Sequence, residues 1–432
     1  MSRTGRRIGL HILVMPAFAA KAVADPVFVI AGGPGVGAAS SQTGETAKAL
    51  WMLRRERDIV FVDQRGAGKS HSLSCRFGDS AAMQSHFSDL FPLDDVRACR
   101  EKLQHAADLR LYTTPIAMDD LDDVRAALGY ERINLYAVSY GSQAALHYLR
   151  QYPTRVRSLA IAGVEIPAAK KPLLFARGAQ GAMTMLIEDC AADAACRDAF
   201  PSLPAELEAV LAAFQAGPIT FEVLNPATRG SEKIRMTRGV FVERLRLMLY
   251  DLESASRVPL VIHHAAQGDW APFVAATRGG ITASVPAMYL TITCSETVSQ
   301  ITEEDLVRES RDTFVGEYRT RRHMQACQEW PRSDVPASFY DPVTADVPVL
   351  MLSGELDPAT PPQFAATAAR SLPNSRQILI RNAAHAYWYP CMQRLVAEFI
   401  SRGSARDLDV TCVQQVARPP FATASPRPSA AR

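Results

Sequence analysis

The segment around Ser139 has the residue types and spacing of a nucleophilic serine. An apolar run, residues 133–138, leads into it, and helix-forming residues follow it at once. A strand that turns sharply into a helix at a serine forms a nucleophile elbow, which raises the hydroxyl above the sheet. Ala137 and Gly141 lie two positions before and after the serine, and their small size leaves room for such a turn. The helix N-terminus directly behind Ser139 makes the backbone N–H of Tyr140 a predicted donor to an oxyanion.

A nucleophilic serine requires a base, and the base requires an acid that orients it. Both follow Ser139 in the order that this elbow type uses: Asp357 comes after the apolar run 347–352, and His385 comes after residues 377–380. Of the nine histidines, His385 is the one that follows a predicted strand and comes after both the serine and the acid in the chain. We therefore predict a catalytic triad of Ser139, Asp357 and His385.

Glu355 is a rival for the acid, because it lies two residues before Asp357. Its alternative interpretation is a solvent-facing turn residue. We favour Asp357 because it lies deeper in the loop, directly before Pro358.

A glycine-rich turn at residues 31–35 predicts the second oxyanion donor. The turn follows an early apolar run, and bare backbone at Gly33 lets a carbonyl oxygen approach an N–H closely. The competing interpretation is a phosphate cradle. It lacks the Lys and Ser/Thr that a P-loop requires, and Pro34 breaks the dinucleotide spacing. We therefore predict Gly33 and Tyr140 as the oxyanion hole, and no cofactor.

The elements that must position these residues alternate between short apolar runs and helical stretches. Residues 115–128 carry a helical apolar face behind an acidic first turn, as expected between parallel strands. The resulting class is α/β, with a mostly parallel, doubly wound sheet. The predicted strands are residues 27–31, 59–63, 133–138, 159–162, 347–352 and 377–380.

The alternation stops after residue 164 and resumes near residue 346. Between them, residues 205–214 and 239–252 have helical apolar spacing, so we predict a large helical lid inserted before the acid-bearing strand. The predicted division is a core of residues 1–166 and 341–415, a lid of residues 167–340 and a tail of residues 416–432. The tail is rich in proline, and we expect it to be disordered.

Composition limits the functional classes. The 432 residues carry 47 Lys+Arg against 45 Asp+Glu, a net charge of +2 that argues against nucleic-acid binding. The sequence contains no apolar run long enough to span a bilayer. It does not indicate an oligomeric state.

The eight cysteines bear on the compartment of the protein. None lies in a CxxC pair, so a zinc site is not expected. Pairing of sequence neighbours would give 75–99, 190–196, 294–327 and 391–412, although roughly 105 connectivities are possible. Such pairing predicts a periplasmic or secreted protein, whereas eight buried reduced thiols in a cytoplasmic enzyme are the alternative.

The N-terminal segment has two interpretations. Three arginines precede a largely apolar run, residues 8–20, with several alanines behind it, which resembles a signal peptide. The alternation of Ile8, Leu10 and Ile12 with other residues instead predicts a strand at the sheet edge. We favour the strand, because cleavage would leave the sheet beginning at Val27 with no earlier strand to flank it.

Together these motifs resemble the proline iminopeptidase and tripeptidyl aminopeptidase branch of the α/β hydrolases, a serine peptidase family. Residues 31–35 resemble its HGGPG turn, residues 63–70 (DQRGAGKS) its DQRGxGxS signature, and residues 354–361 its acid motif. The segments around Cys294 and Cys327 resemble secreted members with a tripeptidyl-aminopeptidase-like C-terminal region. Ala31, Ala137 and Ala384 depart from the family pattern, but each keeps a small side chain or lies where the backbone, and not the side chain, has the role.

The resemblance implies the α/β-hydrolase fold and removal of residues from peptide N-termini by Ser139, with His385 shuttling the proton and Asp357 holding its tautomer. Such an enzyme needs a carboxylate that binds the free amine, and Glu296 in the lid is our candidate. A solvated acidic face formed with Glu303, Glu304 and Asp305 is the alternative interpretation of Glu296.

Two further functions stay open at this point. The same fold and triad would serve an esterase or another hydrolase of small acyl compounds. The alanine substitutions also fit a binding protein whose elbow has decayed. Arg65 in the DQRG segment could bind substrate, but we favour a structural role beside the glycine turn.

Overall fold

A seven-stranded sheet forms the centre of the computed structural model, which describes residues 7–41, 43–75, 77, 82–225, 228–277, 286–385 and 389–424. Its strand order is β1-β3-β2-β4-β5-β8-β9, and all neighbours are parallel except the edge pair β1 and β3. The remaining strands, β6 and β7, form a separate hairpin. The strands are β1 (Ile12–Met15), β2 (Val27–Ile30), β3 (Ile59–Val62), β4 (Ile133–Val138), β5 (Val156–Ala162), β6 (Ile219–Leu224), β7 (Ser231–Met236), β8 (Val349–Gly354) and β9 (Ser375–Ile380).

The parallel strands are apolar because helices cover both faces of the sheet. Every residue of β2, β3 and β8 is buried, and β4 and β5 are buried except at one position each. The six strands predicted from the sequence are therefore confirmed, with ends displaced by a few residues. At the N-terminus, β1 pairs with β3 from Ile12 to Met15, so that part of the segment is an edge strand.

Helices on the core precede and follow the lid. The helix predicted over residues 115–128 is α4, and α5 is buried along almost its whole length because it lies against the sheet. The core helices before the lid are α1 (Ala38–Ser41), α2 (Thr43–Ala49), α3 (Leu93–Gln104), α4 (Thr114–Ala127) and α5 (Tyr140–Gln151).

The lid lies between β5 and β8, as predicted, and is mainly helical. Its helices are α6 (Phe175–Ala192), α7 (Ala194–Ala199), α8 (Leu203–Ala213), α9 (Arg238–Met248), α10 (Leu252–Ala255), α11 (Val258–Ala266), α12 (Ala271–Thr277), α13 (Pro286–Glu296), α14 (Glu303–Ser310) and α15 (Tyr318–Glu329). The core continues with α16 (Pro362–Ala369) and α17 (Pro390–Arg402). In the part of the chain that the structure describes, no helix is both long and apolar enough to cross a membrane.

The lid is built in two parts. Helices α6 to α12 and the β6–β7 hairpin, which the sequence analysis did not predict, enclose their own aromatic core around Phe241, Trp270 and Phe273. Helices α13 and α15 instead join the hydrophobic cluster of the central sheet through residues such as Leu290 and Ala326. The part of the lid formed by α13 and α15 is therefore continuous with the core.

Four disulfides join sequence neighbours, in the pairing that the cysteine positions suggested. They are Cys75–Cys99, Cys190–Cys196, Cys294–Cys327 and Cys391–Cys412. The third one ties α13 to α15, so it fixes the two lid helices that pack on the core.

The first part of the tail that we expected to be disordered packs against the lid. Arg418 pairs with Asp189 of α6 at 2.6 Å, and the backbone N–H of Ala422 donates to Ser256. Phe421 packs on the lid's aromatic core. The expectation therefore does not hold for residues 416–424, because these contacts satisfy the charge and the apolar side chain. Residues 425–432 lie outside the described residues.

Candidate active site

Ser139 occupies a strained turn between β4 and α5. Its backbone has φ 58° and ψ −132°, a conformation that a residue with a side chain rarely adopts. Its N–H donates to the carbonyl of Ala162 on the neighbouring strand, which holds the turn in the sheet. The side chain faces a cavity above the carboxyl ends of the strands. This is the geometry of a nucleophile elbow.

Two glycines allow that turn to form. A Cβ on Gly141 would lie 2.4 Å from the carbonyl oxygen of Ile30, which shows how closely α5 approaches the end of β2. A Cβ on Gly32 would lie 3.2 Å from that of Ser139. The glycine-rich turn therefore runs directly against the serine. Ala137, the residue at the other flank, is fully buried and fits without displacement.

Asp357 and His385 lie together at the carboxyl ends of β8 and β9. The imidazole Nδ1 is 2.9 Å from Oδ2 and 3.0 Å from Oδ1 of the carboxylate. The Asp357 side chain is completely buried. It also accepts hydrogen bonds from the backbone N–H groups of Ala359 and Thr360, and from the Thr360 hydroxyl. The carboxylate is thus fixed in position by its own loop and holds the imidazole.

Glu355 does not share this position. Its side chain is 36% exposed and lies 4.0 Å from the Arg381 guanidinium. The backbone N–H of Glu355 donates to Ile380, so the residue belongs to the turn that follows β8.

The lid holds the histidine loop from above. The backbone N–H of His385 donates to the carbonyl of Tyr250 at 2.9 Å, and the two rings contact edge to face at 4.9 Å. Tyr250 lies just after α9, so the histidine is braced by the acid on one side and by the lid on the other. A displacement of this part of the lid would move His385 with it.

The buried carboxylate of Asp63 ties its own motif to the start of α1 and to the N-terminal segment. It accepts hydrogen bonds from the backbone N–H groups of Ala39, Ser40 and Lys69 and from His11. Burial alone would raise its pKa, but these hydrogen bonds, with that from Lys69 foremost, lower the pKa of Asp63 below its ordinary value. A Cβ on Gly68 would lie 2.2 Å from Oδ2, so this motif position is restricted to glycine.

Arg65, the arginine of the same motif, binds within the protein. Its guanidinium makes two hydrogen bonds of 2.5 Å to Asp120 of α4 and donates to the carbonyl of Leu111 at 2.8 Å. Such a bidentate pair orients both partners. The contacts agree with a structural role for Arg65.

Ser139 and His385 line one cavity of about 310 Å³. From the core, the predicted oxyanion residue Gly33 also lines it, with a backbone φ of 111°. Tyr140, the other predicted donor, begins α5 next to the serine, and its ring is buried. Further core residues line it beside the serine and after β8. The opposite side comes from the segment after β5 and from the lid: Glu165, Lys171, Phe175, Tyr250, Tyr289 and Arg319.

The structure does not bring Glu296 into this cavity. Its side chain is fully buried at the end of α13, where it accepts hydrogen bonds from the backbone N–H and the hydroxyl of Thr114. Burial raises its pKa to about 8. Glu303, Glu304 and Asp305 form the first turn of α14, where Asp305 pairs with Lys170 and Arg308. None of the four acidic residues is among the cavity residues.

A buried ionic cluster lies behind the far wall and reaches the cavity through Arg319. Glu243 of α9 accepts two hydrogen bonds from Arg246, at 2.7 and 3.0 Å, and one more from Arg319. Burial alone would raise the pKa of Glu243, but Arg246 and Arg319 hold it at about 2. Arg246 is itself fully buried, whereas Arg319 reaches the cavity.

The sequence motifs do not indicate the polar residues of this wall. Glu165 had a usable signal, since it follows the parallel strand β5 at the edge where ligands bind. Lys171 lies 2.5 Å from it and lacks such a signal. Arg319 is one of three arginines within four positions of α15, and the pattern alone does not distinguish the one that faces the cavity.

Known proteins resemble the chain in both halves of its core. Residues 25–199 match the family model described as "alpha/beta hydrolase fold", and residues 312–412 match that of a "TAP-like protein". The chain has the α/β-hydrolase fold. The resemblance deduced from the sequence motifs is confirmed by these matches.

Curated α/β-hydrolase relatives share a limited part of the chain. A tripeptidyl aminopeptidase of Streptomyces coelicolor is 31% identical over 32% of this chain and 28% of its own length. The serine protease Hip1 of Mycobacterium tuberculosis is 36% identical over 18% of this chain and 15% of its own length. A proline iminopeptidase of Neisseria gonorrhoeae is 26% identical over 32% of each. The chain thus matches less than a third of the length of these relatives.

Proposed function

We propose that this α/β hydrolase is a serine peptidase that removes residues from the N-termini of peptides. The observation that carries the proposal is the placement of His385, which contacts the buried carboxylate of Asp357 and lines the same cavity as Ser139. A serine, a histidine and an aspartate placed in this way suit acyl transfer through a covalent serine intermediate. The relatives named as aminopeptidases support the choice of a peptide bond.

In the proposed reaction, Ser139 attacks the scissile carbonyl while Nε2 of His385 accepts its proton. Asp357 holds the proton of Nδ1 and so keeps Nε2 available as the base. The tetrahedral oxyanion is stabilised by the backbone N–H groups of Gly33 and Tyr140. His385 then gives its proton to the leaving amine, and water hydrolyses the acyl-enzyme by the same route.

We assign the binding of the substrate's free amine to Glu165. Glu165 lines the cavity, whereas Glu296 does not. Its carboxylate is paired with Lys171 at 2.5 Å. A carboxylate offers about four lone pairs, so pairing with Lys171 leaves acceptor capacity for an ammonium group.

Labelling with a fluorophosphonate probe tests the nucleophile. We expect one covalent adduct on the native protein and none on the Ser139→Ala variant. Turnover of aminoacyl, dipeptidyl and tripeptidyl amides beside short-chain p-nitrophenyl esters then tests the bond. Hydrolysis of esters alone would contradict a peptidase and favour the esterase alternative.

A comparison of free and blocked N-termini tests the role of Glu165. For Glu165→Gln we expect a higher KM on amides with a free amine, and unchanged kinetics on the N-acetylated forms. An equal loss on both substrates would contradict amine recognition by this residue.

We further propose that the protein functions in the periplasm or outside the cell. Its four disulfides support this location, because disulfides persist in oxidising compartments. Mass spectrometry of protein alkylated before reduction tests it. Protein isolated from its native host should take up no alkyl group, and eight alkylated thiols would contradict the location.

A further inference from the structure

The wall of the cavity contributed by the lid carries an excess of positive charge. Among the described cavity residues, Lys171 and Arg319 are cationic and Glu165 is the acidic one. Behind the wall, Arg246 and Glu243 add one charge of each sign. The cluster therefore holds three cations and two carboxylates.

We infer that Arg319 binds a carboxylate of the substrate within this cavity. The inference rests on the proposed function for the identity of the cavity as the substrate site. It adds a substrate class to that function: short peptides with a carboxylate in the part held by the lid.

Arg319 has donors to spare. A guanidinium carries five N–H bonds. One terminal nitrogen donates to Glu243 and the other lies 3.4 Å from the Tyr289 hydroxyl. Nε is buried and has no hydrogen-bond partner among the described residues. The two terminal nitrogens carry four N–H bonds and these contacts use two of them, so the guanidinium keeps donors for an acceptor in the cavity that it lines.

The neighbouring groups do not compete for such an acceptor. His323 lies with Nδ1 at 2.6 Å from the carbonyl of Arg319 and Nε2 at 3.1 Å from the Tyr289 hydroxyl. Burial holds the pKa of His323 well below its ordinary value, so the ring is neutral. Nδ1 then donates to the carbonyl, and Tyr289 donates its proton to Nε2. Of these three side chains, Arg319 is the one left with unused donors.

The remaining carboxylates do not cancel the charge. Arg246 makes two hydrogen bonds to Glu243, so Arg319 shares an acid that is already paired. Lys171 lies against Glu165. Burial raises the pKa of Glu296 to about 8, and its neutral form adds no negative charge near neutral pH. The three cations also surround the ring of Phe175 at 5.1 to 5.9 Å.

A carboxylate fits this site better than a neutral acceptor. The planar guanidinium matches a carboxylate in geometry, and a charge-assisted hydrogen bond in a partly enclosed site is stronger than a neutral one. The carboxylate has two possible sources: an Asp or Glu side chain near the N-terminus, or the C-terminus of a short peptide.

Binding to the inactive Ser139→Ala protein tests the inference without turnover. The probes are alanine tetrapeptide amides with Glu or Gln at each of the first three positions, and the all-alanine tetrapeptide with a free or an amidated C-terminus. We expect calorimetry to show about 10-fold to 100-fold tighter binding of one carboxylate form over its neutral match. Tighter binding of a Glu peptide over its Gln match would identify a side-chain carboxylate. Tighter binding of the free over the amidated C-terminus would identify the C-terminal carboxylate.

The same measurement on Ser139→Ala with Arg319→Met should abolish this preference, and Arg319→Lys should keep part of it. Glu243 stays paired with Arg246 in both variants, which favours correct folding. The matched control is Arg321→Met on the same helix, whose exposed side chain pairs with Glu303 and Glu317. It should leave the preference intact.

Equal binding of every carboxylate and neutral probe would overturn the inference, as would a preference that survives Arg319→Met. Either result leaves probe labelling of Ser139 untouched, so the proposed function would stand. If Ser139 resists labelling while the preference is present, the proposed function fails and the carboxylate site stands.

Discussion

The cavity has a floor, formed by Ser139, Asp357 and His385, and a roof, formed by the charged residues of its far wall and the ionic cluster behind it. The two are held in place by different interactions. On the floor, Ser139, Asp357 and His385 each follow a strand of the sheet and are held largely by backbone groups. Thr360, three residues on, donates to Asp357, and the carbonyl of Tyr250 accepts from His385. On the roof, charged side chains from distant segments hold one another, as Arg319 holds Glu243. The floor residues are therefore placed by the strands that they follow, whereas the roof residues are placed by pairing of opposite charges.

Because of this difference, substitutions in the floor and in the roof should affect different properties, activity in the first case and stability in the second. The floor residues are supported by turns and backbone hydrogen bonds, so conservative substitutions there should remove activity and leave the fold. Glu243 in the roof balances two buried cations, so removing its charge leaves both of them without that counter-charge. Its substitution should therefore lower the free energy of unfolding.

Ser139→Ala should give the largest effect on activity. Loss of the attacking hydroxyl should lower kcat by about 10⁶-fold, because the remaining groups of a triad contribute little without the nucleophile. The urea midpoint of unfolding should stay close to that of the native protein. Loss of activity together with a lower urea midpoint would contradict the prediction that floor residues contribute little to stability.

Asp357→Asn should lower kcat by about 10⁴-fold, because an amide favours the wrong tautomer of His385. Glu355→Gln is the matched control, two residues away in the same loop. Since that side chain is 36% exposed and belongs to the turn, kcat should change little. Equal losses in the two variants would show that the acid was assigned to the wrong residue.

The sequence was sufficient to predict that Ser139, Asp357 and His385 lie at one edge of the sheet, because each of them has a local signature. Ser139 lies between small residues at a strand end, and Asp357 and His385 each follow an apolar run. The sheet could be deduced in the same way, from patterns of neighbouring residues, whereas the disulfide pairing was one option among roughly 105 connectivities.

The roof left no comparable pattern in the sequence. Glu243 and Arg319 lie 76 positions apart, and their contact depends on how α9 and α15 pack. The acidic residue chosen from the sequence, Glu296, follows a conspicuous segment of the lid, but its helix turns it toward Thr114 and away from the cavity. Charge spacing along one helix does not determine which face meets a cavity.

Glu243→Gln should give the largest loss of stability. Removing the acid leaves the guanidinium groups of Arg246 and Arg319 without the carboxylate that both of them bind, at a cost of about 3–5 kcal/mol. The control is Glu253→Gln, which breaks an exposed pair with Arg257 and should cost about 0.5 kcal/mol or less. Urea unfolding of both variants measures the difference.

The stabilisation from Glu243 should also depend on pH. Its pKa is about 2 in the fold against an ordinary value of 4.5, so the stabilisation is complete above about pH 4.5. It is lost as the pH falls toward 2, where the folded carboxyl takes up its proton. Identical acid unfolding of the native protein and Glu243→Gln would contradict an ionised Glu243.

Glu296→Gln should have an effect of opposite sign, which is absent near pH 5 and grows as the pH rises. Glu296 lies where α13 of the lid meets Thr114 of the core. Burial raises its pKa to about 8 from an ordinary 4.5, so the folded carboxyl keeps a proton that the unfolded chain releases. Between these values the free energy of unfolding should fall with rising pH, by up to about 1.4 kcal/mol per pH unit.

Glutamine lacks this proton but can still accept the hydrogen bond of the Thr114 N–H through its amide oxygen. The variant should therefore match the native protein near pH 5 and exceed it progressively toward pH 8, because the other ionisable groups contribute equally to both curves. Urea unfolding of the two proteins across this range provides the measurement. Parallel curves would mean that Glu296 is ionised in the fold, which would cancel the net positive charge on which carboxylate binding by Arg319 depends.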